Sequence, residues 1–430
     1  MIILIVLVLF FIVMFLGLPI SISLLAASIL YCLMTGNVGF LYSIPMKMIS
    51  GMNNFTFLAI PMFMLAGEIM NRGGITDAIM DFCDQLVGHF RGGLGYVNAV
   101  ASTIFGGITG SALTDVTCLG AIEIPAMEKN GYDKEYSCAI TVASAIQGPI
   151  IPPSIQMVTL AGLTGISTGA LLLGGAVPGV LLGVSCCAVN FIMSRKHNYP
   201  KSDTKFNLRH FIRVLGKTFF PIMTPVVLIG GMVSGYFTPT EAAAISVLYA
   251  LLVSTLIFHS LTWKSIGEAI KNSALASVKV YYIQGAATVF SWILSIENIP
   301  NLLSNFFRQF SGGYYGTLVL MVIFLLIWGM FMDTIPAMYI IVPLFYPIAS
   351  GVGINSTHFG VVVVLTLMIG LMTPPYGVAL YACQAISGVK LTGLLKKLIP
   401  FYIGTIAVLI LVMFIPQLVT ALPHLFGLGQ

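Results

Sequence analysis

The chain has 430 residues, of which 58% are hydrophobic and only 8% charged, with a mean hydropathy of +1.01 and a formal net charge of +5. Soluble domains carry about a quarter charged residues, so this composition excludes an ordinary soluble enzyme, a nucleic-acid binder and a disordered scaffold. It describes a polytopic membrane protein, long enough for ten or more crossings at about 20 residues each.

The 44 Gly and 21 Pro favour helices that bend, break and pack closely over a β-barrel, whose strands would alternate apolar and polar residues. The predicted fold is all-α. The seven cysteines are scattered, without a CxxC or a Cys/His cluster, and read as small core residues. Net positive charge says little about partners, because membrane topology itself requires basic loops.

In chain order, residues 1–17 lack a basic n-region and a small-residue cleavage site, so they predict a retained first helix. Apolar runs follow at about 18–35, 53–71, 93–127, 136–165, 170–194, 218–236, 240–260, 271–297, 313–348, 358–387 and 396–420. The runs 93–127 and 313–348 are too long for one span. They carry turn residues in the middle, Gly106, Gly107 and Gly110 in one and Asp333 in the other. Each predicts a re-entrant hairpin, and the other ten runs predict full crossings. Within 74–91, Ile75, Ile79, Phe82, Leu86, Val87 and Phe90 recur at helical spacing, with Asp77, Asp81 and Asp84 on the opposite face. This predicts an arm lying along the membrane surface, its acids a solvated face in preference to a cation site. A second arm is expected at 298–311.

One loop sets the orientation. Arg195, Lys196, Lys201, Lys205, Arg209, Arg213 and Lys217 fall within 195–217, opposed only by Asp203. That excess predicts a cytoplasmic loop. Counting spans outward places both termini in the periplasm and 16 of the 19 basic residues inside, with Lys47 and Arg308 outside and Lys279 within a helix.

A shift of 222 residues superimposes landmarks. Pro152-Pro153 falls on Pro374-Pro375, Gly148 on Gly370, Pro125 on Pro347, Gly131 on Gly353 and Gly107 on Gly329; a shift of 220 brings Gly92-Gly93 onto Gly312-Gly313. With the orientation above, the first hairpin enters from the cytoplasm and the second from outside. Two inverted repeats with broken helices predict a secondary transporter with its site at the repeat interface. The chain then divides into scaffold helices (1–52), a first repeat (53–165, with broken helix 136–165) and scaffold helices with the basic loop (166–270). A second repeat (271–387, with broken helix 358–387) and a C-terminal helix (388–430) follow.

The chemistry is expected at the breaks. SAIQGPIIPPS (144–154) and MIGLMTPPYG (368–377) each contain a double proline, which removes backbone donors and leaves carbonyls without helical partners. Such carbonyls are costly in an apolar medium unless a cation or water satisfies them. Carbonyls with one or two hydroxyls suit Na⁺. Two pseudo-symmetric sodium sites are therefore predicted. One is built from Gly110, Ser111, Gly148, Ile151 and Pro153; the other from Met332, Asp333, Gly370, Thr373 and Pro375. The bland alternative is that the breaks only kink packed helices. Half-helix N-termini after each break aim positive dipoles at the centre and suit a carboxylate. Ser154, Gln156 and Tyr376 are the nearest polar candidates for substrate contact, though each also suits plain helix packing.

Among charges within apolar runs, Asp333 is a sodium ligand candidate and Asp115 a group that organises its hairpin tip. Glu68, Glu123 and Lys279 stand between function and simple ion pairing or snorkelling. No chain of groups for a proton relay is visible. HExxH, GxSxG, Walker A and a GxGxxG after a strand are all absent, so the sequence predicts no enzyme and no nucleotide site. Energy must come from an ion gradient or a partner.

The segment GYFTPTEA (235–242), the two double-proline breaks and the GGITGSALTD hairpin resemble the DctM-like large membrane subunit of tripartite ATP-independent periplasmic (TRAP) transporters, nearest the sialic-acid branch. The resemblance covers essentially the whole chain. It implies an elevator-type carrier in the bacterial inner membrane that moves Na⁺ and an organic acid, with sialic acid as the expected cargo and C4-dicarboxylates as the alternative. It also implies a periplasmic substrate-binding protein and a separate small four-helix membrane subunit as partners. Glu241 lies in the TPTEA motif, where a scaffold contact is as fitting as substrate handling. A stand-alone Na⁺- or H⁺-coupled carboxylate carrier would share the architecture without the binding protein. A channel or membrane enzyme is the different-class alternative.

Overall fold

The computed structural model describes residues 2–201, 208–310 and 313–428. Asp203, Lys205, Gly312 and the side chain of Arg308 lie outside the described residues. The described regular elements are helices, in the order α1 (Ile2–Phe15), α2 (Ile20–Met34), α3 (Gly39–Met52), α4 (Ala59–Arg72), α5 (Ile75–Val87), α6 (Gly93–Thr109), α7 (Ala112–Lys129), α8 (Lys134–Ala145), α9 (Ile155–Thr164) and α10 (Thr168–Lys196). Then come α11 (Leu208–Val233), α12 (Pro239–Leu252), α13 (Trp263–Ile296), α14 (Ile299–Phe310), α15 (Tyr314–Gly329), α16 (Thr334–Gly351), α17 (Ser356–Leu371), α18 (Val378–Ser387), α19 (Leu391–Phe414) and α20 (Gln417–Leu425).

Among these, α10, α11, α12 with its π-helical extension to Ile257, α16 and α19 are each long and apolar enough to cross a membrane. Helices α3 and α4, joined by a 3-10 turn, form a further candidate span bent by 62°. The shorter apolar helices are 10–17 residues long, and about 10 residues of helix reach halfway through a 30 Å hydrocarbon layer. Both predicted broken runs are pairs of short helices, α8–α9 and α17–α18. Both predicted hairpins are helix pairs with short tips, α6–α7 and α15–α16.

One helix lies outside the predicted runs. Residues 39–52 form α3 although Pro45 and Lys47 interrupt the apolar pattern. The Lys47 ammonium sits 5.6 Å from the centre of the Trp292 ring, a cation–π contact that accommodates the charge. Helix α13 also starts earlier than the apolar run, at Trp263, because Thr262 and Ser265 form a reciprocal cap. The C-terminal run splits at Ile415–Pro416 into α19 and α20.

Helix α13 packs along α2, α3 and α4, and α12 packs on α4. The hairpin helix α7 lies against α8 and α18, and α15 lies against α17. Helix α16 is buried between α9, α13 and α17, and its inner residues Ala337–Val342 are all at most 2% exposed. The amphipathic arm α5 buries Ile75, Ile79, Phe82 and Cys83 against α6 and α11.

Beyond the spans, the loop after α7 is tied to α19. Lys397 Nζ lies 2.7 Å from Asp133 Oδ2, and the Tyr199 hydroxyl donates to the same oxygen at 3.1 Å. The lysine's hydrogen bond holds the Asp133 carboxyl below its ordinary range. A depressed folded pKa means that the pair stabilises the fold above the unfolded value of about 3.9 and loses that contribution as pH falls through the folded value. Both side chains are partly exposed, so the pair is worth about 1 kcal/mol or less. In detergent, the melting-temperature gap between the wild type and Asp133→Asn is expected to hold from pH 7 to 5 and to close below about pH 4. A gap unchanged at pH 3 would remove this assignment.

Candidate functional site

The first hairpin turns in two residues. Gly110 caps α6 with φ +61°, a left-handed conformation that only glycine adopts without strain, and its N–H bonds the Gly106 carbonyl at 2.9 Å. Ser111 then caps α7, its Oγ accepting from the Thr114 N–H at 3.4 Å and the Thr114 hydroxyl at 3.1 Å. The facing break runs from Ile146 to Ser154, where Ser154 caps α9 by accepting the Met157 N–H at 3.1 Å. The Ser154 hydroxyl itself donates to the Pro149 carbonyl. The Pro152–Pro153 bond is cis, as is Pro374–Pro375.

Tip and break touch through backbone. A Cβ added at Gly106 would lie 2.5 Å from Gly148 Cα, and one at Gly110 would lie 2.6 Å from the Pro153 carbonyl oxygen. One at Gly107 would meet the Pro152 carbonyl oxygen at 3.3 Å and the Ile151 side chain at 3.4 Å. The five residues of the first predicted sodium set therefore come together on one contact. Among the described residues, no hydrogen-bond donor reaches the carbonyls of Gly148, Ile151 or Pro153. Free carbonyls beside a serine hydroxyl are hard oxygen donors, the type Na⁺ requires.

The second set is arranged differently. Asp333 caps α16, its Oδ1 accepting the Thr334 N–H at 2.7 Å. The Gly370 carbonyl already accepts the Thr373 N–H at 2.9 Å, and the Thr373 hydroxyl donates to the Ile369 carbonyl at 2.7 Å. The Pro375 carbonyl accepts the Tyr381 hydroxyl at 3.2 Å, and Met332 takes the Trp328 indole N–H on its sulfur. A cation here would share oxygens through their second lone pairs, with the Asp333 carboxylate as the charged donor. Gly329 and Gly370 make the close contact of this half, a Cβ on Gly370 falling 2.7 Å from Gly329 Cα. The spatial counterpart of Gly329 is thus Gly106, not Gly107 as the 222-residue shift has it. The register slips because the first tip has two residues and the second has four.

A cavity of about 610 Å³ joins the two tips. Ser111, Gln156 and Asp333 line it, together with Lys279 of α13 and Glu68 and Asn71 of α4. Of the three predicted substrate contacts, only Gln156 lines this space, and its Oε1 has no hydrogen-bond partner. Ser154 is fully buried and spent on capping. Tyr376 is 54% exposed beside Tyr381, and its N–H bonds the Met330 carbonyl, so its backbone links break to tip while its ring points away. Glu241 closes a capping box with Thr238 at the start of α12, accepting its N–H at 2.7 Å, and takes no part in the cavity.

Asp115 is fully buried behind the first tip and accepts the Ser102 hydroxyl at 3.3 Å. From there, hydrogen bonds run Ser102–Ser144 (3.0 Å), Ser144–Asn98 (2.7 Å) and Asn98 to Glu123 and to Thr141 (2.8 Å). The sequence reading finds no such chain, because its members sit on three helices. The available signal is spacing, Asn98 and Ser102 on α6 and Thr141 and Ser144 on α8. Glu68 is ion-paired, its partner Arg72 reaching on to Glu268 at 2.6 Å. Tyr402 of α19, which no motif marks, donates to the Met372 carbonyl in the second break.

The family model "Tripartite ATP-independent periplasmic transporter, DctM component" matches residues 7–418. The sialic acid TRAP transporter large permease protein SiaM of Vibrio cholerae is 38% identical over 97% of both chains. The sialic acid TRAP transporter permease protein SiaT of Haemophilus influenzae is 34% identical over 96% of this chain and 67% of its own length. The C4-dicarboxylate TRAP transporter large permease protein DctM of Rhodobacter capsulatus is 32% identical over 96% of both. Among solved structures, the YdaH transporter of Alcanivorax borkumensis shares the fold, with a TM-score of 0.63 at 14% identity over 91% of this chain and 90% of its own. With the apolar spans, the tip-to-break contacts and this match over nearly its whole length, the chain belongs to the DctM component family of tripartite ATP-independent periplasmic transporters.

Proposed function

We propose that the chain is the carrier of a sodium-coupled uptake system for an organic acid, with sialic acid as the cargo. It sits in a bacterial inner membrane with both termini periplasmic. A periplasmic binding protein delivers the acid, and a small four-helix membrane subunit enlarges the scaffold. The hairpins and breaks carry cargo and ions past the scaffold in an elevator motion. The observation that carries this reading is the single cavity lined by both tips, through Ser111 and Asp333, and by the scaffold, through α13. The open carbonyls at Gly148, Ile151 and Pro153 support sodium as the coupling ion. The names of the relatives at 38% and 34% identity favour sialic acid, and the relative at 32% keeps C4-dicarboxylates as the second reading. The cavity runs down to Asn71 and Asn272, neighbours of Arg72 and Lys271 on the basic side of the membrane, which supports an inward-facing state.

The test is uptake of radiolabelled N-acetylneuraminate into proteoliposomes holding this chain and its small subunit, with an inward Na⁺ gradient crossed against the binding protein. Uptake is expected only with both. Uptake without the binding protein would replace the tripartite reading with a stand-alone carrier. Uptake of succinate alone would transfer the assignment to C4-dicarboxylates.

A further inference from the structure

We infer that Lys279 is the scaffold's recognition group for the carboxylate of the cargo. The inference rests on the proposed transport of an organic acid and names which residue reads its charge. Lys279 lies 16 residues into α13, about 24 Å along the helix from Trp263. Measured from the start of the apolar run at 271 it is eight residues in, and a lysine inside an apolar run is costly unless it pairs or reaches water. It is exposed and lines the same cavity as Ser111, Gln156 and Asp333. Among the described residues, the ion pairs are Arg72 with Glu68 and Glu268, Lys134 with Glu128 and Lys397 with Asp133, so none of these carboxylates neutralises it.

Its surroundings fit an anion. On the α13 wall, Asn272, Ala276, Lys279 and Ile283 recur at helical spacing, giving one face with a cation, an amide and small or apolar neighbours. The facing wall offers the Ser111 hydroxyl at the hairpin tip and the Gln156 side chain of α9, whose Oε1 has no partner, neutral groups that suit hydroxyls or amides of a cargo but not its charge. Asp333 and Glu68 are carboxyl groups and offer the cargo no positive charge. The side chains that line the cavity therefore supply one unpaired positive group, and it belongs to the scaffold. Contact between the cargo's carboxylate and Lys279 ties the anion to the fixed wall while the hairpins hold the remainder.

The experiment uses the purified complex of this chain with its small subunit in detergent at saturating Na⁺. Thermal stabilisation is titrated with free N-acetylneuraminate and with its uncharged methyl ester, then with succinate and its monoamide. The wild type is expected to prefer the anion over the ester. Lys279→Gln is expected to lower affinity for the anion about ten- to hundredfold, the size of one hydrogen bond to a charged group, and to leave the ester unchanged. Lys279→Arg is expected to keep the preference, and half-saturation by Na⁺ is expected to stay the same in all three proteins. A Lys279→Gln protein that still prefers the anion would overturn this inference alone. A wild type stabilised by neither sialate nor succinate would overturn the proposed cargo class and this inference together.

Discussion

Gly370→Ala is expected to abolish uptake and to lower the melting temperature of the detergent-solubilised protein. A Cβ at this position would fall 2.6, 2.7 and 2.9 Å from the carbonyl carbon, Cα and carbonyl oxygen of Gly329. These are backbone atoms of the facing helix and cannot rotate away. The break and the hairpin must separate instead, which costs about 1–3 kcal/mol of overpacking and displaces the groups beside Asp333. Gly329→Ala places its Cβ 3.2 Å from Gly370 Cα and is expected to be tolerated with a small shift. In the first half the order reverses: Gly106→Ala is the severe change, at 2.5 Å from Gly148 Cα, and Gly148→Ala the mild one, at 3.2 Å from Gly106 Cα. Gly351→Ala, which meets nothing within 4 Å, is the control. Full activity and an unchanged melting temperature for Gly370→Ala would show that the tip and the break are not held in contact.

Asp333→Asn separates the two roles of that side chain. Asparagine caps helices as well as aspartate does, so the bond from the Thr334 N–H survives and the fold is expected to stand. What disappears is the negative charge facing the cavity. If Asp333 ligates sodium, half-saturation by Na⁺ rises about ten- to hundredfold, and uptake at fixed Na⁺ falls in proportion. Wild-type sodium dependence in the Asp333→Asn protein would remove this carboxylate from the ion site, leaving it a helix cap.

The breaks were legible because proline acts locally: a double proline interrupts a helix whatever surrounds it, and both interruptions lie where the motif puts them. The arms were legible from periodicity. Helix α3 was not, because hydropathy cannot anticipate that Lys47 finds the Trp292 ring. The polar chain from Asp115 to Glu123 was hidden for the same reason, since it exists only once α6, α7 and α8 pack together. Tyr376 illustrates a further limit. A residue beside a break is close to the site in sequence, but the turn after Pro375 swings its ring out. Lys279 shows the converse, a residue far from every motif that packing brings to the cavity wall.

The bend between α3 and α4 also makes the supports of the two halves unequal. Helix α13 is a continuous helix of 34 residues, about 51 Å long, with no joint along its length. Its counterpart in the first half is an elbow of 62°, and Asn54 at that elbow donates its side-chain amide to the Gly162 carbonyl of α9 at 3.0 Å. The half-helix beyond the first break is thus tied to the corner between α3 and α4, while α16 of the second half packs against the unbroken α13. Two halves that share a helix order are thus unequally supported, one at a bent corner and the other along an unbroken rod.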